Sequence, residues 1–322
     1  MIRPSADDAR WMGAAVALAE RTRGMTAPNP NVGCVIVAHG VVVGRGWTRA
    51  GGRPHAEAMA LEQAGARATG ATAYVTLEPC AHVSPRGPAC SDLLITAGVA
   101  RVVIAHRDPD PRTDGKGIAR MRAAGIAVDV GVRDAEAARV MAGFLTRRAR
   151  ARPFVTLKLA LSLDGAAAMA DGRSQWITGP EARAHAHLER ARHEAIMVGR
   201  GTWEADHPRL DVRLPGLEHR APERVVLSSR PIDGVRTIAQ PAEIASLAGD
   251  HLLVEGGART AAAFLAADLV DRLLLYRAPV IVGGGRTLPD IGLADLSDAH
   301  GRWRLHDARA LGSDRVEVYE RG

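Results

Sequence analysis

Hydrophobic and polar positions follow two rhythms in this chain. SADDARWMGAAVALAERTRG (5–24) carries apolar residues at helical spacing, and Ser5 and Asp8 stand at the spacing of a capping box. VGCVIVAHGVVVGRGW (32–47) then places two β-branched runs on either side of His39-Gly40, the signal of a hairpin. HAEAMALEQAG reads as a helix closed at Gly65, and ATAYVTLEP as a strand. SDLLITAG is a short helix closed at Gly98, and VARVVIAHRD another strand. GKGIARMRAAG and IAVDVGV repeat helix and strand, and DAEAARVMAGFLTRRARARP reads as one last helix. Strands alternating with helices imply a sheet covered by helices.

RRARARP, residues 147–153, marks the best boundary, because Pro153 stops the helix and FVTLKLALSLDG opens a new strand. Domains are therefore expected at 1–148 and 149–322. The second half alternates again. EARAHAHLERARH is a helix, and EAIMVGRG, RVVLSS and HLLVEGG are strands. RTAAAFLAADL is a helix, and DRLLLYRAPVIVGGG reads as a strand that ends in glycines. Both halves read as α/β, with different motifs and so different tasks.

Composition narrows the class. Hydrophobic residues make up 47% of 322 and aromatics only 3%, so two cores must be built from Ala, Val, Leu and Ile. The formal charge of +6 is carried almost wholly by Arg, since Lys116 and Lys158 are the only lysines. These cations are scattered among acids. That pattern suits a solvated surface, with a pocket for a phosphorylated small molecule ahead of a nucleic-acid surface. No apolar run reaches the roughly 18–20 residues that cross a bilayer, and the first residues lack a signal-peptide pattern. The expected setting is soluble, reducing and cytoplasmic, with no membrane partner. There, three cysteines point to metal binding or catalysis rather than bridges.

Chemistry concentrates in two stretches of the first half. His55-Ala56-Glu57 begins a helix, and Pro79-Cys80 follows a strand, with Cys90 further on. An H-x-E followed by P-C and a second Cys is the signature of zinc-dependent nucleobase deaminases. One imidazole and two thiolates hold zinc and leave a fourth position for water. The metal lowers the pKa of that water to about 7. The Glu, which is not a ligand, moves its protons. His55, Cys80 and Cys90 are the expected ligands and Glu57 the proton shuttle. His82 is a rival ligand, with a loop or substrate contact as its other reading. Cys34, inside an apolar strand, reads as a small core residue.

APNPNVGCVIV, HAEAMALEQAG, YVTLEPCAH and AGVARVVIAHRDPDP…GKG, in that order, resemble the deaminase half of a bifunctional riboflavin-biosynthesis family. That family joins diaminohydroxyphosphoribosylaminopyrimidine deaminase to 5-amino-6-(5-phosphoribosylamino)uracil reductase. Its loop is usually close to EPCSHxGRTPPC, whereas VSPRGPA here makes the cysteine spacing one residue longer. The resemblance implies that Asn29 reads the pyrimidine edge, a turn role being its structural alternative. The changed loop puts substrate contacts there, including any by Arg86, in question.

RPFVTLKLALSLDGAAAMADGRSQWITG, VGRGTWEADHPRLDVR, LLVEGG and VDRLLLYRAPVIVGGG resemble the reductase half, so that the likeness covers roughly residues 10–290. The implied fold is an N-terminal cytidine-deaminase-like α/β/α sandwich followed by a C-terminal dihydrofolate-reductase-like α/β domain. The residues alone show a Gly pair opening a helix in HLLVEGGARTAAAF, where backbone N–H groups approach a phosphate closely, and no G-x-G-x-x-G. The resemblance implies NADPH contacts at Ala160, Trp176, Thr202, Asp206, Gly257, Ala258, Arg259, Thr260, Ala261, Ala262 and Ala263, and more loosely at Ser228 or Ser229. It implies substrate contacts at Ser174, Arg190, Leu210, Arg213 and Glu255. Arg190 and Arg213 suit a phosphate clamp, since guanidinium binds phosphate bidentately. Lys158 is expected to touch polar groups of the substrate. Asp164 either turns the chain before Gly165 or orients the site.

The expected activity is zinc-dependent hydrolytic deamination of 2,5-diamino-6-(5-phosphoribosylamino)pyrimidin-4(3H)-one, then NADPH-dependent reduction of its ribosyl group to ribityl. The substrate is a phosphorylated pyrimidine and not nucleic acid, and the family implies a homo-oligomer, dimer or tetramer. The rival readings are a deaminase of nucleic-acid bases, a zinc-stabilised binding protein, and an enzyme with only one working site.

Overall fold

The structure is a computed structural model that describes residues 5–82 and 87–322; Arg86 lies outside the described residues. The chain forms two compact units, Met1–Arg150 and Ala151–Gly322.

The first unit runs α1 (Ala6–Ala19), β1 (Gly33–Ala38), β2 (Val41–Trp47), α2 (Ala56–Ala64), β3 (Thr72–Leu77), α3 (Cys90–Thr96), β4 (Arg101–His106), α4 (Lys116–Ala123), β5 (Ala127–Val130), α5 (Asp134–Val140) and α6 (Ala142–Arg150). Ser5 caps α1 as its spacing implies: the Asp8 N–H donates to Ser5 Oγ and the Ser5 N–H to Asp8 Oδ2, both at 3.0 Å. His39 (φ 51°) and Gly40 (φ 73°) make the two-residue hairpin turn, with Ala38 opposite Val41. The sheet order is β2-β1-β3-β4-β5; β1 is antiparallel to both neighbours, and β3, β4 and β5 are parallel. Helices cover both faces of the sheet. Gly33 on β1 faces the backbone of α1, while Gly44 and Gly46 on β2 face the backbone of α2. The core between them is small-residue and aliphatic, with Ala15, Ile36, Ala60, Val75, Leu94 and Ile104 all at 0% exposure.

The second unit runs β6 (Phe154–Leu161), α7 (Pro180–Arg190), β7 (Ala195–Gly199), α8 (Arg200–Asp206), β8 (Glu223–Leu227), β9 (Arg236–Ile238), β10 (His251–Val254), α9 (Ala258–Ala266), β11 (Arg272–Arg277), β12 (Trp303–Leu311) and β13 (Asp314–Arg321). Its sheet has the order β12-β13-β11-β6-β10-β7-β8-β9, antiparallel across β12-β13-β11 and parallel elsewhere. Leu157, Leu252, Val254 and Phe264 are wholly buried between sheet and helices. Such side chains contribute about 1.5–3 kcal/mol each relative to exposure. Arg152, read as part of a linker, is a buried structural residue. Its guanidinium donates to Asp271 at 2.6 and 2.9 Å, and the Val155 N–H donates to the same carboxylate at 2.8 Å. The pair ties the start of β6 to the start of β11.

Three elements differ from the expectation. The single helix read after residue 133 is two, α5 and α6, because the backbone leaves helical geometry at Met141 (φ −97°, ψ 14°). VIVGGG is not strand: the chain leaves β11 after Arg277 and turns through Val280, whose N–H donates to Ala278 O, leaving Ile281 76% exposed. The strands β9, β12 and β13 and the helix α8 were not anticipated.

Candidate active sites

The deaminase motif converges as its chemistry requires. His55 is the N-cap of α2, which puts Glu57 in the first turn, and Cys90 is the first residue of α3. Ser91 fastens the second cysteine to the first, its N–H and hydroxyl both donating to Cys80 O, at 3.2 and 3.0 Å. His55 Nδ1 lies 3.2 Å from Cys90 Sγ and 3.7 Å from Cys80 Sγ, and the Cys90 N–H donates to Cys80 Sγ at 3.2 Å. All three ligand atoms fall within 4.8 Å of one another. Tetrahedral zinc with Zn–N near 2.05 Å and Zn–S near 2.3 Å requires N···S separations of about 3.6 Å, so this donor set fits the ion. No described cysteine is in a disulfide. Cys34 is a fully buried core residue.

The electrostatics are those of a buried thiol pair beside a buried acid. A hydrogen bond from the Cys90 thiol pushes Cys80 down to about 4 against burial, with His55 assisting. Cys90 is pushed up by giving that hydrogen bond, by burial and by Glu57. Burial pushes the Glu57 carboxyl up from its ordinary value, against the pull of His55. His82 lines the same cleft, with its Nδ1 lacking a hydrogen-bond partner among the described residues. It is not part of the three-residue cluster.

His55, Glu57, Cys80 and His82 line a cleft of about 140 Å³. Asn29 is in its wall, donating from Nδ2 to Gly52 O at 2.8 Å and lying 3.2 Å from His55 Nε2. The far wall comes from residues to which the sequence reading gave no role: Glu78, Asp108, Asp110, Arg112 and Arg148. Glu78 accepts N–H groups from Gly115 and Ile118 at 3.0 and 3.1 Å and so seats α4. The signal for the acids was HRDPDP, a stretch matched as a family block without individual assignments.

In the second unit the parallel order β6-β10-β7-β8 brings four strand ends to one edge of the sheet, where α/β folds place their ligands. Leu157 pairs with Val254, so that Lys158 and Glu255 emerge side by side, with Nζ 3.7 Å from Oε2. Arg190 donates to both oxygens of Glu255, at 2.7 and 2.9 Å, and to Asp211 O at 3.0 Å. It is therefore not an exposed helix arginine. Arg213, by contrast, is 55% exposed, with its Nε 3.3 Å from His187 Nε2.

Gly257 is the N-cap of α9 and gives no side-chain cap to the first turn, which holds Ala258, Arg259 and Thr260. Ala261, Ala262 and Ala263 continue that helix. Gly199 leads into α8, which carries Thr202 and Asp206; a side chain at Gly257 would touch Thr202 Oγ1. Ser228 follows β8, its hydroxyl donating to Arg230 O at 2.6 Å. Ala160 lies within β6, opposite Tyr276. Ser174 is half-buried, and Trp176 is exposed with the Arg183 guanidinium over its ring. The Leu210 side chain is packed into a core with Ile196, Val198, Val226 and Leu253. Asp164 orients a loop: it accepts from Ser162 Oγ at 2.6 Å and from the N–H groups of Val282 and Gly283 at 3.1 and 2.9 Å.

Fold and cluster together define a deaminase-class unit joined to a second α/β unit. Residues 5–106 match the family model for the cytidine and deoxycytidylate deaminase zinc-binding region, and residues 153–316 match the RibD C-terminal domain. The chain belongs to the RibD family of riboflavin-biosynthesis proteins. It is 38% identical to riboflavin biosynthesis protein RibD of Aquifex aeolicus, with 98% of each chain covered. It is 40% identical to that of Escherichia coli, over 95% of this chain and 97% of the relative. Among solved structures, RibD of Acinetobacter baumannii superposes with a TM-score of 0.88 at 36% identity, covering 98% of this chain and 99% of that one. A protein of Thermotoga maritima gives 0.87 at 30% identity with the same coverage. It is described as a diaminohydroxyphosphoribosylaminopyrimidine deaminase/5-amino-6-(5-phosphoribosylamino)uracil reductase. Among the described residues, no helix is long and apolar enough to cross a membrane.

Proposed function

We propose that this chain catalyses two consecutive steps of riboflavin biosynthesis on a free phosphorylated pyrimidine. The observation that carries the reading is the His55–Cys80–Cys90 cluster, with His55, Cys80 and buried Glu57 lining one cleft, in a chain that matches deaminase/reductase relatives over nearly its whole length.

In the first unit His55, Cys80 and Cys90 would hold zinc. Bound zinc supplies a Lewis acid that makes water nucleophilic near neutral pH. Asn29, anchored on Gly52, holds the pyrimidine edge beside His55. Glu57 takes a proton from the water that adds to C2 of the diaminopyrimidinone and returns it to the departing amine, so that one water enters and one ammonia leaves. The raised Glu57 carboxyl suits a group that must both take and give a proton near neutral pH.

In the second unit the strand-end glycines and the open N-terminus of α9 would hold NADPH, which supplies the hydride. Lys158 and Arg190, held by Glu255, face the substrate's polar groups, and Arg213 takes its phosphate. The ribosyl C1′ gains the hydride as its ring opens, and one proton is consumed at the released oxygen.

The test is to mix the protein, zinc, NADPH and the diaminopyrimidine phosphate, following ammonia and NADPH absorbance separately. Ammonia release that does not need NADPH, followed by NADPH oxidation, is expected. NADPH oxidation without ammonia, or ammonia from single-stranded nucleic acid instead, would replace the proposal.

A further inference from the structure

The outer wall of the deaminase cleft carries a cation pair that the deamination chemistry leaves unused. Arg112, in the loop between β4 and α4, donates to Asp110 from Nε at 3.0 Å and from Nη2 at 2.6 Å. Arg148, on α6, reaches the same carboxylate, Nη2 to Oδ2 at 3.0 Å, and stacks on Phe144 at 5.3 Å. Asp110 is fixed in turn, accepting the Arg112 N–H at 3.0 Å and donating its own N–H to Asp108 at 2.9 Å. The Asp110 side chain is 6% exposed, whereas Arg112 and Arg148 are 60% and 38% exposed. The carboxylate is therefore the buried pin, and the guanidiniums form the outward surface. All of these residues line the cleft that contains His55, Glu57 and Cys80.

We infer that Arg112 and Arg148, cross-linked through Asp110, form the anion subsite that receives the phosphate of the deaminase substrate and sets its preference for phosphorylated over dephosphorylated pyrimidines. Arg112 and Arg148 present their guanidiniums outward, while the carboxylate they share is buried. Arg112 engages Asp110 through one edge only, so its second Nη remains for a phosphate oxygen, and bidentate guanidinium–phosphate pairing is among the stronger charge-assisted contacts. The inference rests on the deaminase reading above.

The test compares wild type, Arg112→Ala and Arg112→Ala/Arg148→Ala by steady-state ammonia release, on the phosphorylated diaminopyrimidine and on the same compound dephosphorylated. Zinc content and NADPH-dependent turnover of pre-deaminated substrate check folding. The expected result is a KM for the phosphorylated compound raised about tenfold or more in the double variant, less in the single, with kcat nearly unchanged. KM for the dephosphorylated compound should not move. Equal losses on both compounds would show that the arginines only neutralise Asp110 and would overturn the subsite, as would unchanged KM on both. If wild type released no ammonia from either compound, the deaminase reading would fall and the subsite with it.

Discussion

Arg190 and Glu255 meet edge to edge, Nε to Oε1 at 2.7 Å and Nη2 to Oε2 at 2.9 Å, on side chains that are 15% and 6% exposed. Burial opposes ionisation of Glu255, but Arg190 and Lys158 outweigh it and hold the carboxyl below its usual range. A depressed carboxyl contributes stability that is present above the unfolded pKa and is lost as pH falls through the folded one. Glu255→Gln should lower stability by about 3 kcal/mol, because Arg190 and Lys158 are left without their counter-charge. Urea denaturation followed by a probe in the second unit checks this. The wild type should hold its midpoint at neutral pH and lose it in acid, and the variant should show less of that acid loss.

Glu57→Gln separates the two activities. The amide keeps the size of the carboxyl but cannot shuttle a proton, so ammonia release should fall by about two to four orders of magnitude. NADPH oxidation on pre-deaminated substrate should continue at the wild-type rate, with zinc retained. Loss of both activities in a folded, zinc-loaded variant would contradict independent sites.

The cysteine assignment has its own measurement. Cys90→Ser should lose zinc, because the His55, Cys80 and Cys90 donor atoms lie within 4.8 Å of one another. A full equivalent of zinc in the purified variant would transfer the third ligand to His82.

Local rules explain which features were legible in the sequence. The Ser5–Asp8 cap, the His39-Gly40 hairpin and the helix starts at His55 and Cys90 each depend on a few neighbouring residues, and each formed as read. The hairpin of β12 and β13 was illegible for the opposite reason. Most of β12 is exposed, and its alternation of polar and apolar residues slips at His306-Asp307, where the register with β13 shifts. VIVGGG misled in the other direction: three β-branched residues resemble a strand, but the N–H groups of Val282 and Gly283 go to the Asp164 carboxylate instead of a ladder. At the sites, motif residues were legible because metal chemistry restricts them to a few residue types. The Asp110–Arg112–Arg148 cluster was not, because Arg148 lies far along the chain from the other two and ordinary surface arginines look the same. His187 was hidden likewise, its contacts being made only when α7 meets the segment around Asp211.

Two glycines seat the helix that carries the deaminase motif. A Cβ at Gly46 would fall against the carbonyl oxygen of Ala56, and one at Gly44 against that of Ala60, both backbone atoms of α2. Gly46→Ala must therefore push back the helix end beside His55. Zinc occupancy and ammonia release should fall together, while NADPH oxidation on pre-deaminated substrate stays unchanged. Overpacking of this kind costs about 1–3 kcal/mol, visible as earlier unfolding of the first unit. An unchanged zinc content would show that the motif tolerates movement of its helix.

His187 ties Arg213 to the site in one protonation state. Nδ1 lies 3.1 Å from Asp211 O, and Nε2 lies 3.3 Å from Arg213 Nε. The Arg213 backbone N–H also points at Nδ1, at 3.2 Å, so in either neutral tautomer the ring offers one nitrogen as an acceptor to Arg213. Burial, together with Arg190 and Arg213, pushes the imidazole below its usual value, against Asp211 O and Glu255. For a base with a depressed folded pKa, the neutral arrangement is complete above the unfolded pKa and is lost as pH falls through the folded one. Protonation puts a hydrogen on both ring nitrogens, removes the acceptor and sets a third positive charge beside Arg190 and Arg213. The reductase KM for its phosphorylated substrate should therefore rise by roughly fivefold as pH falls below the ordinary imidazole range, in keeping with one lost hydrogen bond of about 1 kcal/mol. His187→Gln keeps an acceptor without a titration, so its KM should stay level over the same range. A rise of the same size in that variant would assign the pH dependence to another group.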